Sequence, residues 1–257
     1  LGEGGMGLVY QARDRELNEI VALKMLKPRM AGDDSSVDRL KDEIRLARRI
    51  THPNVVRIFD FGQADGNPFV SMEYVRGRTL DELIRRIGRI EYYACLRLAR
   101  EICAGLAAAH RAGVLHKDMK ASNVMVNYSA KVMDFGIARP ALARFDIRTG
   151  EETFEGTPMY LAPEQISGEP ADVRSDIYAL GVLFTQMFTG NLPFANESTR
   201  EIMRAHIDKA PIEPAEFWPG IPPVLNALIL KCLAKRPAER YQSVEEIRDE
   251  LLRVRLA

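Results

Sequence analysis

Cysteine is scarce in this 257-residue chain. Cys95, Cys103 and Cys232 are all it has, none in CxxC spacing, which points away from a disulfide framework and towards a reduced, cytoplasmic compartment. Net charge is missing too. Lys+Arg and Asp+Glu each number 36, so the balance favours neither nucleic acid nor an anionic membrane as a partner. No internal repeat or low-complexity segment stands out. The longest apolar stretch, Ile177 to Phe188, includes Thr185 and Gln186 and is too short to span a bilayer, so no membrane contact is expected from this fragment. At the start, Leu1 already lies in a glycine-rich run with no charged and apolar leader before it. The expectation is an excised domain whose first strand has lost its beginning, with any anchor or sensor outside it.

What is present is a soluble, globular composition, 46% apolar and 28% charged, at a length that fits one large domain or two small lobes. The chain turns on His116-Lys117-Asp118-Met119-Lys120-Ala121-Ser122-Asn123 and the Asp134-Phe135-Gly136 that follows. Short apolar segments bracket this stretch at Val114-Leu115, Val124-Met125-Val126 and Val132-Met133, and runs that short read as buried strands. Carboxylates at the edge of a core are costly unless paired or bound to cations. Two of them beside a lysine and an amide point to a site for a metal and a polyanion.

Gly2, Gly4 and Gly7 form a GxGxxG pattern, where backbone N–H groups can approach phosphate oxygens closely. Alone the pattern is weak, and a flexible hairpin explains it equally well. Its context narrows the choice. Leu8-Val9-Tyr10 looks like a strand where a dinucleotide fold needs a helix, and the Gly-Lys-Ser/Thr of a P-loop is absent. The next strand, Ile20 to Leu26, places Ala22 and Lys24 on one face, as a flat ring lying beside phosphate requires; a solvated edge lysine is the simpler alternative. A helix is expected over 37–50, with Val37, Leu40, Ile44 and Ala47 on one stripe and Glu43 on its core flank, where Lys24 is the candidate partner. Val55 to Phe59 and Phe69 to Met72 then read as a hairpin.

From Thr79 onwards the pattern turns helical. Thr79-Leu80-Asp81-Glu82, Ser198 to Glu201 and Ser243 to Glu246 are capping boxes, and Cys95, Leu98, Ala99, Ile102, Cys103, Leu106, Ala107 and His110 share one helical stripe. His110 there reads as a packed histidine rather than a ligand, and Arg85, Arg86 and Arg89 as a solvated helix face. Residues 137–157 are polar and broken, the pattern of a functional loop. The segment Ile177 to Thr189, opened by Asp176, is apolar on nearly all sides and reads as a buried helix.

Taken in order, these pieces resemble the catalytic domain of eukaryotic-like serine/threonine protein kinases of the bacterial kind. The motifs that carry the resemblance are Gly2 to Val9, Val21-Ala22-Leu23-Lys24, Glu43, His116-Lys117-Asp118 through Asn123, Asp134-Phe135-Gly136 and Ala162-Pro163-Glu164. The resemblance implies an α+β, two-lobed fold: a β-rich nucleotide-binding lobe over 1–72, a hinge over 73–77 and a helical catalytic lobe over 78–257. It implies ATP with Mg²⁺ or Mn²⁺, and protein substrates bearing Ser or Thr. By position, Asp118 takes or orients the hydroxyl proton, Lys120 neutralises the transferred group, and Asn123 and Asp134 hold the metal. Lys24, held by Glu43, meets the phosphates under the glycine loop. Adenine lies among Leu1, Val9, Ala22, Met72 and Met125, with hinge backbone at Glu73 and Val75. Glu164 pairs with Arg240, and Asp176 ties the catalytic loop to the buried helix.

Thr149, Thr153 and Thr157 are candidate phosphorylation sites, with self-association as a route to autophosphorylation. Two departures stand out. Lys117 replaces the family's arginine, so a point charge stands where a planar fork grips loop phosphate. Asn123 and Asp134 are 11 positions apart, about two fewer than expected, which a tighter turn near Asn127-Tyr128-Ser129 would absorb. A nucleotide-binding pseudokinase scaffold and a small-molecule kinase are the alternatives. Intact catalytic positions argue against the first, and a peptide-docking pattern over 156–164 against the second.

Overall fold

A computed structural model describes residues 2–4, 7–26, 34–64, 67–135, 158–194 and 198–254, and their side chains except those of 2–4 and 34–40. The chain opens with strands β1 (Gly2–Gly4), β2 (Gly7–Arg13) and β3 (Ile20–Leu26). Helix α1 (Asp34–Ala47) and the hairpin β4 (Ile58–Ala64) and β5 (Asn67–Glu73) follow. The strands form one antiparallel sheet in the order β1-β2-β3-β5-β4. On β3 the period of two turns Ala22, Lys24 and Leu26 inward together, so the solvated-edge alternative for Lys24 fails. Gly7 has φ 153°, and a Cβ there would fall 1.8 Å from the Met25 carbonyl oxygen, so only glycine lets β2 lie against β3 at this register.

Two expected boundaries move. Helix α1 starts and ends three residues earlier than the apolar stripe predicts, because Arg49 and Ile50 bond back only three positions, to Leu46 and Ala47, and tighten the last turn. Val55 and Val56 do not begin β4. Instead Val132 N–H donates to Asn54 O (2.8 Å) and Val56 N–H to Val132 O (2.9 Å). The segment after α1 is thereby fastened to the helical part of the chain.

That part begins with β6 (Arg78–Thr79), α2 (Leu80–Ile87) and α3 (Tyr92–Arg111). A hairpin of β7 (Val124–Val126) and β8 (Ala130–Val132) completes a second antiparallel sheet, β6-β7-β8, and its turn at 127–129 takes up the short spacing before Asp134. Then come α4 (Pro163–Ile166), α5 (Val173–Thr189), α6 (Thr199–Asp208), α7 (Pro214–Phe217), α8 (Pro223–Cys232) and α9 (Val244–Arg253). The capping box at α2 forms in both directions, Glu82 N–H to Thr79 Oγ1 (3.2 Å) and Thr79 N–H to Glu82 Oε2 (3.0 Å). At α6 and α9 only the serine half forms; Glu246 accepts from Gln242 N–H instead. The stripe on α3 is buried as its spacing requires, both cysteines included, and α5 is buried nearly all round. Among the described residues, no helix is long and apolar enough to cross a membrane.

Arg240 and Glu164 form the pair expected of them. The guanidinium reaches both carboxylate oxygens, at 2.7 and 2.9 Å, and also donates to the carbonyls of Ala234, Lys235 and Arg174. Burial pushes the Glu164 carboxyl up, but the Arg240 and Ser175 hydrogen bonds outweigh it and hold the group below the usual range. Arg240→Ala would strand a buried carboxylate, costing about 3–5 kcal/mol. Thermal unfolding should show Tm lower by roughly 10 °C.

His206 on α6 is fully buried, with Nδ1 2.9 Å from the Tyr178 hydroxyl. Burial, reinforced by the Lys235 cation, pushes its pKa down from 6.5 to about 3. The unfolded chain thus takes up a proton below pH 6.5 that the folded chain refuses until far lower, so this stability is full above 6.5 and declines as pH falls. Unfolding measured at about pH 7.5 and 5.5 should show wild type losing roughly 1 kcal/mol at this site, and His206→Gln losing less.

Candidate active site

Gly113, at φ 77°, turns the chain out of α3 towards the stretch that begins at Val114. His116 is wholly buried there. Its Nε2 lies 3.0 Å from Met133 O, and its Nδ1 accepts from Asp118 N–H at 3.3 Å, which assigns the ring as neutral with its proton on Nε2. Burial agrees, pushing its pKa down against the pull of the Asp176 and Asp118 carboxylates. The ring also packs on Phe135, with centroids 4.8 Å apart.

Asp176, in the first turn of α5, accepts from both His116 N–H and Lys117 N–H at 2.8 Å. His110 Nε2 stands 2.8 Å from the same carboxylate, so this packed histidine is a support for the loop rather than filler. Helix α5 begins at Val173, three residues before Asp176, because Asp172 caps it by accepting from Arg174 N–H (2.7 Å). Held by Asp176, Lys117 adopts φ 63°, and Asp134 has the same value. Of the three described non-glycine residues with positive φ, these two lie at the charged site and mark backbone fixed against its own preference.

The charges meet in opposed pairs. Lys24 Nζ lies 2.9 Å from Asp134 Oδ1, with the lysine side chain only 4% exposed. Lys120 Nζ lies 2.9 Å from Asp118 Oδ2. Asn123 is buried, and its Nδ2 donates to Asp118 O (2.8 Å) and Asp118 Oδ2 (3.2 Å), so the amide oxygen is the end it offers to a cation. Glu43 is 3.8 Å from Lys117 Nζ and over a third exposed, so the costly burial anticipated for its carboxylate does not arise. Among the described residues no three His, Cys, Asp or Glu cluster as a metal cage. The Asn123 and Asp134 oxygens fit a hard cation that takes its remaining ligands from phosphate and water.

Around these pairs, Ala22 and Met72 belong to the sheet's apolar core, with Val9 and Val75 packed against it. Met125 is half-buried on β7, opposite Lys131, whose Nζ reaches the Glu73 carboxylate at 2.5 Å. Gly2 and Gly4 lie on β1. Leu1, Gly136, Thr149, Thr153 and Thr157 lie outside the described residues. Met133, which the sequence pattern marks only as strand, packs against the same core. Gln165 carries no motif signal of its own. It sits beside the matched Ala162-Pro163-Glu164, and its side chain reaches Lys117 O.

The protein kinase domain family model matches residues 1–252. A probable serine/threonine-protein kinase of Clostridium acetobutylicum is 41% identical over 99% of this chain and 39% of its own length. Serine/threonine-protein kinase PknB of Mycobacterium leprae is 38% identical over 99% of this chain and 42% of its own. The chain therefore spans less than half the length of these curated relatives. In three dimensions, the PknI kinase domain of Mycobacterium tuberculosis aligns with a TM-score of 0.77 at 28% identity, over 98% of this chain and 92% of that one. A family model that matches nearly the whole chain places it in the protein kinase domain family.

Proposed function

We propose that this chain transfers the γ-phosphoryl group of ATP to Ser and Thr hydroxyls of protein substrates, with Asp118 as the base. The observation that carries the reading is the convergence of Lys24 on Asp134 and of Lys120 and Asn123 on Asp118. Mg²⁺-ATP, when bound, supplies the phosphoryl group; Mn²⁺ has the same ligand preference. Asn123 and Asp134 hold the metal through oxygen. Lys24, beneath the glycine loop of Gly2, Gly4 and Gly7 and held by Glu43, takes the α- and β-phosphates. Asp118 orients the acceptor hydroxyl and receives its proton, while Lys120 neutralises charge on the group in transit. Such positioned charges are most of what phosphoryl transfer requires.

The adenine ring is assigned to the space among Leu1, Val9, Ala22, Met72 and Met125, with backbone contacts at Glu73 and Val75. Residues 1–72 and 78–257 act as the lobes, and 73–77 as the hinge between them. The three cysteines are free and buried, which supports a reduced, cytoplasmic setting for the domain. Self-association would bring one copy's 137–157 segment to another's site.

Transfer of labelled phosphate to a generic protein tests this reading. Asp118→Asn should reduce the rate by about a hundredfold or more, and Lys24→Met comparably. Chelation should abolish labelling and Mg²⁺ restore it; equal labelling by wild type and both variants would sink the proposal. Peptide mass spectrometry after incubation with ATP should find phosphate on Thr149, Thr153 or Thr157 in wild type and none in Asp118→Asn. An active preparation with all three unmodified would remove them as acceptors.

A further inference from the structure

Helix α4 has a buried amide with work at both ends. Gln165 Oε1 accepts from Ala162 N–H at 3.0 Å, closing the helix's own first turn. Its Nε2 donates to Lys117 O at 3.2 Å, across 48 positions of sequence. Lys117 is the left-handed residue directly before Asp118. Its N–H is already held by Asp176 Oδ1, so Gln165 grips the opposite end of the residue. The carbonyl it holds belongs to the peptide unit whose nitrogen is that of Asp118, and that N–H points to His116 Nδ1. Rotating this peptide would swing the Asp118 carboxylate. A small cavity lined by Lys117, Asp118, Tyr160, Gln165 and Asp176 adjoins the bridge.

We infer that Gln165 is a positioning residue for Asp118: through the Lys117 carbonyl it sets the direction of the base and couples it to the 158–166 segment. The chemistry calls for a primary amide of this length. Glutamate keeps the acceptor for Ala162 N–H but sets a carboxylate oxygen against the Lys117 carbonyl oxygen. Methionine keeps the shape and supplies neither end. Asparagine is one methylene short.

The inference rests on the kinase reading, and its test separates the two. Gln165→Glu and Gln165→Met are compared with wild type in steady-state phosphorylation, thermal unfolding and amide hydrogen exchange. For Gln165→Glu, kcat should fall about ten- to a hundredfold with KM for ATP within about twofold, since a misdirected base costs rate without costing nucleotide contacts. Its Tm should fall by roughly 10 °C, because a buried carboxylate is left facing a carbonyl oxygen, so rates and exchange are compared well below the transition. Gln165→Met should show the same loss in kcat; should it fail to fold, Gln165→Glu decides alone. Exchange across 116–120 should rise about tenfold in Gln165→Glu, a readout independent of turnover. Wild-type kcat in Gln165→Glu, or unchanged exchange there, would overturn the positioning role and reduce Gln165 to a helix cap. Wild type that transfers no phosphate would overturn the kinase reading, and exchange would still decide the role of Gln165.

Discussion

One buried carboxylate sets the conditions for the rest of the site. Asp176 is 2% exposed, and a carboxylate that deep is tolerated only when its oxygens are met by donors. It is met by the N–H groups of His116 and Lys117 and by the His110 ring, all at 2.8 Å. Satisfying it forces the chain after His116 through a left-handed residue, an expense of about 1–3 kcal/mol that the surrounding bonds must offset. Once Lys117 is so placed, Asp118 follows at a fixed angle, and Lys120 and Asn123 are brought round to its carboxylate. The rigidity of α5, packed on every side, becomes the rigidity of the loop.

The ion pairs divide by burial into two kinds. Glu164 and Arg240 are almost wholly enclosed, joined by two parallel hydrogen bonds, and every remaining guanidinium bond described goes to a backbone carbonyl. Nothing in that arrangement can exchange without stranding a charge. Lys24–Asp134 and Lys120–Asp118 are ion pairs whose carboxylates keep some exposure, 23% and 11%. Such pairs can trade partners with a polyanion and a cation, whose charges match them. Lys117–Glu43, at 3.8 Å and with both side chains near 40% exposed, is weaker still and well screened. Its presence gives Lys117 a carboxylate to face where the family's arginine faces phosphate.

Much of this was legible from residue order because local rules governed it. The period of two on β3 turned Ala22 and Lys24 to the same side, the spacing on α3 buried both cysteines, and the reciprocal box at Thr79 and Glu82 opened α2. Errors gathered where distant chain intervened. Val55 and Val56 have strand-forming side chains, yet Val55 lies opposite Val132 in an isolated bridge and Val56 donates to its carbonyl, 76 positions away. His110 lies on an apolar stripe and carries a hydrogen bond whose partner no periodicity reveals.

The sequence by itself determined the class of fold, the order of its elements and the cast of charged residues, because hydrophobic period, capping chemistry and motif spacing are written along the chain. Tertiary structure decided which charge meets which, since ion pairs and buried hydrogen bonds depend on distances between residues far apart in sequence. That Asp134 faces Lys24, that Glu43 lies beside Lys117 rather than in the core, and that Gln165 reaches the residue before Asp118 are facts of packing. They reflect a cost that sequence patterns do not display: a charge or polar group enclosed in the core is expensive unless it finds a partner there.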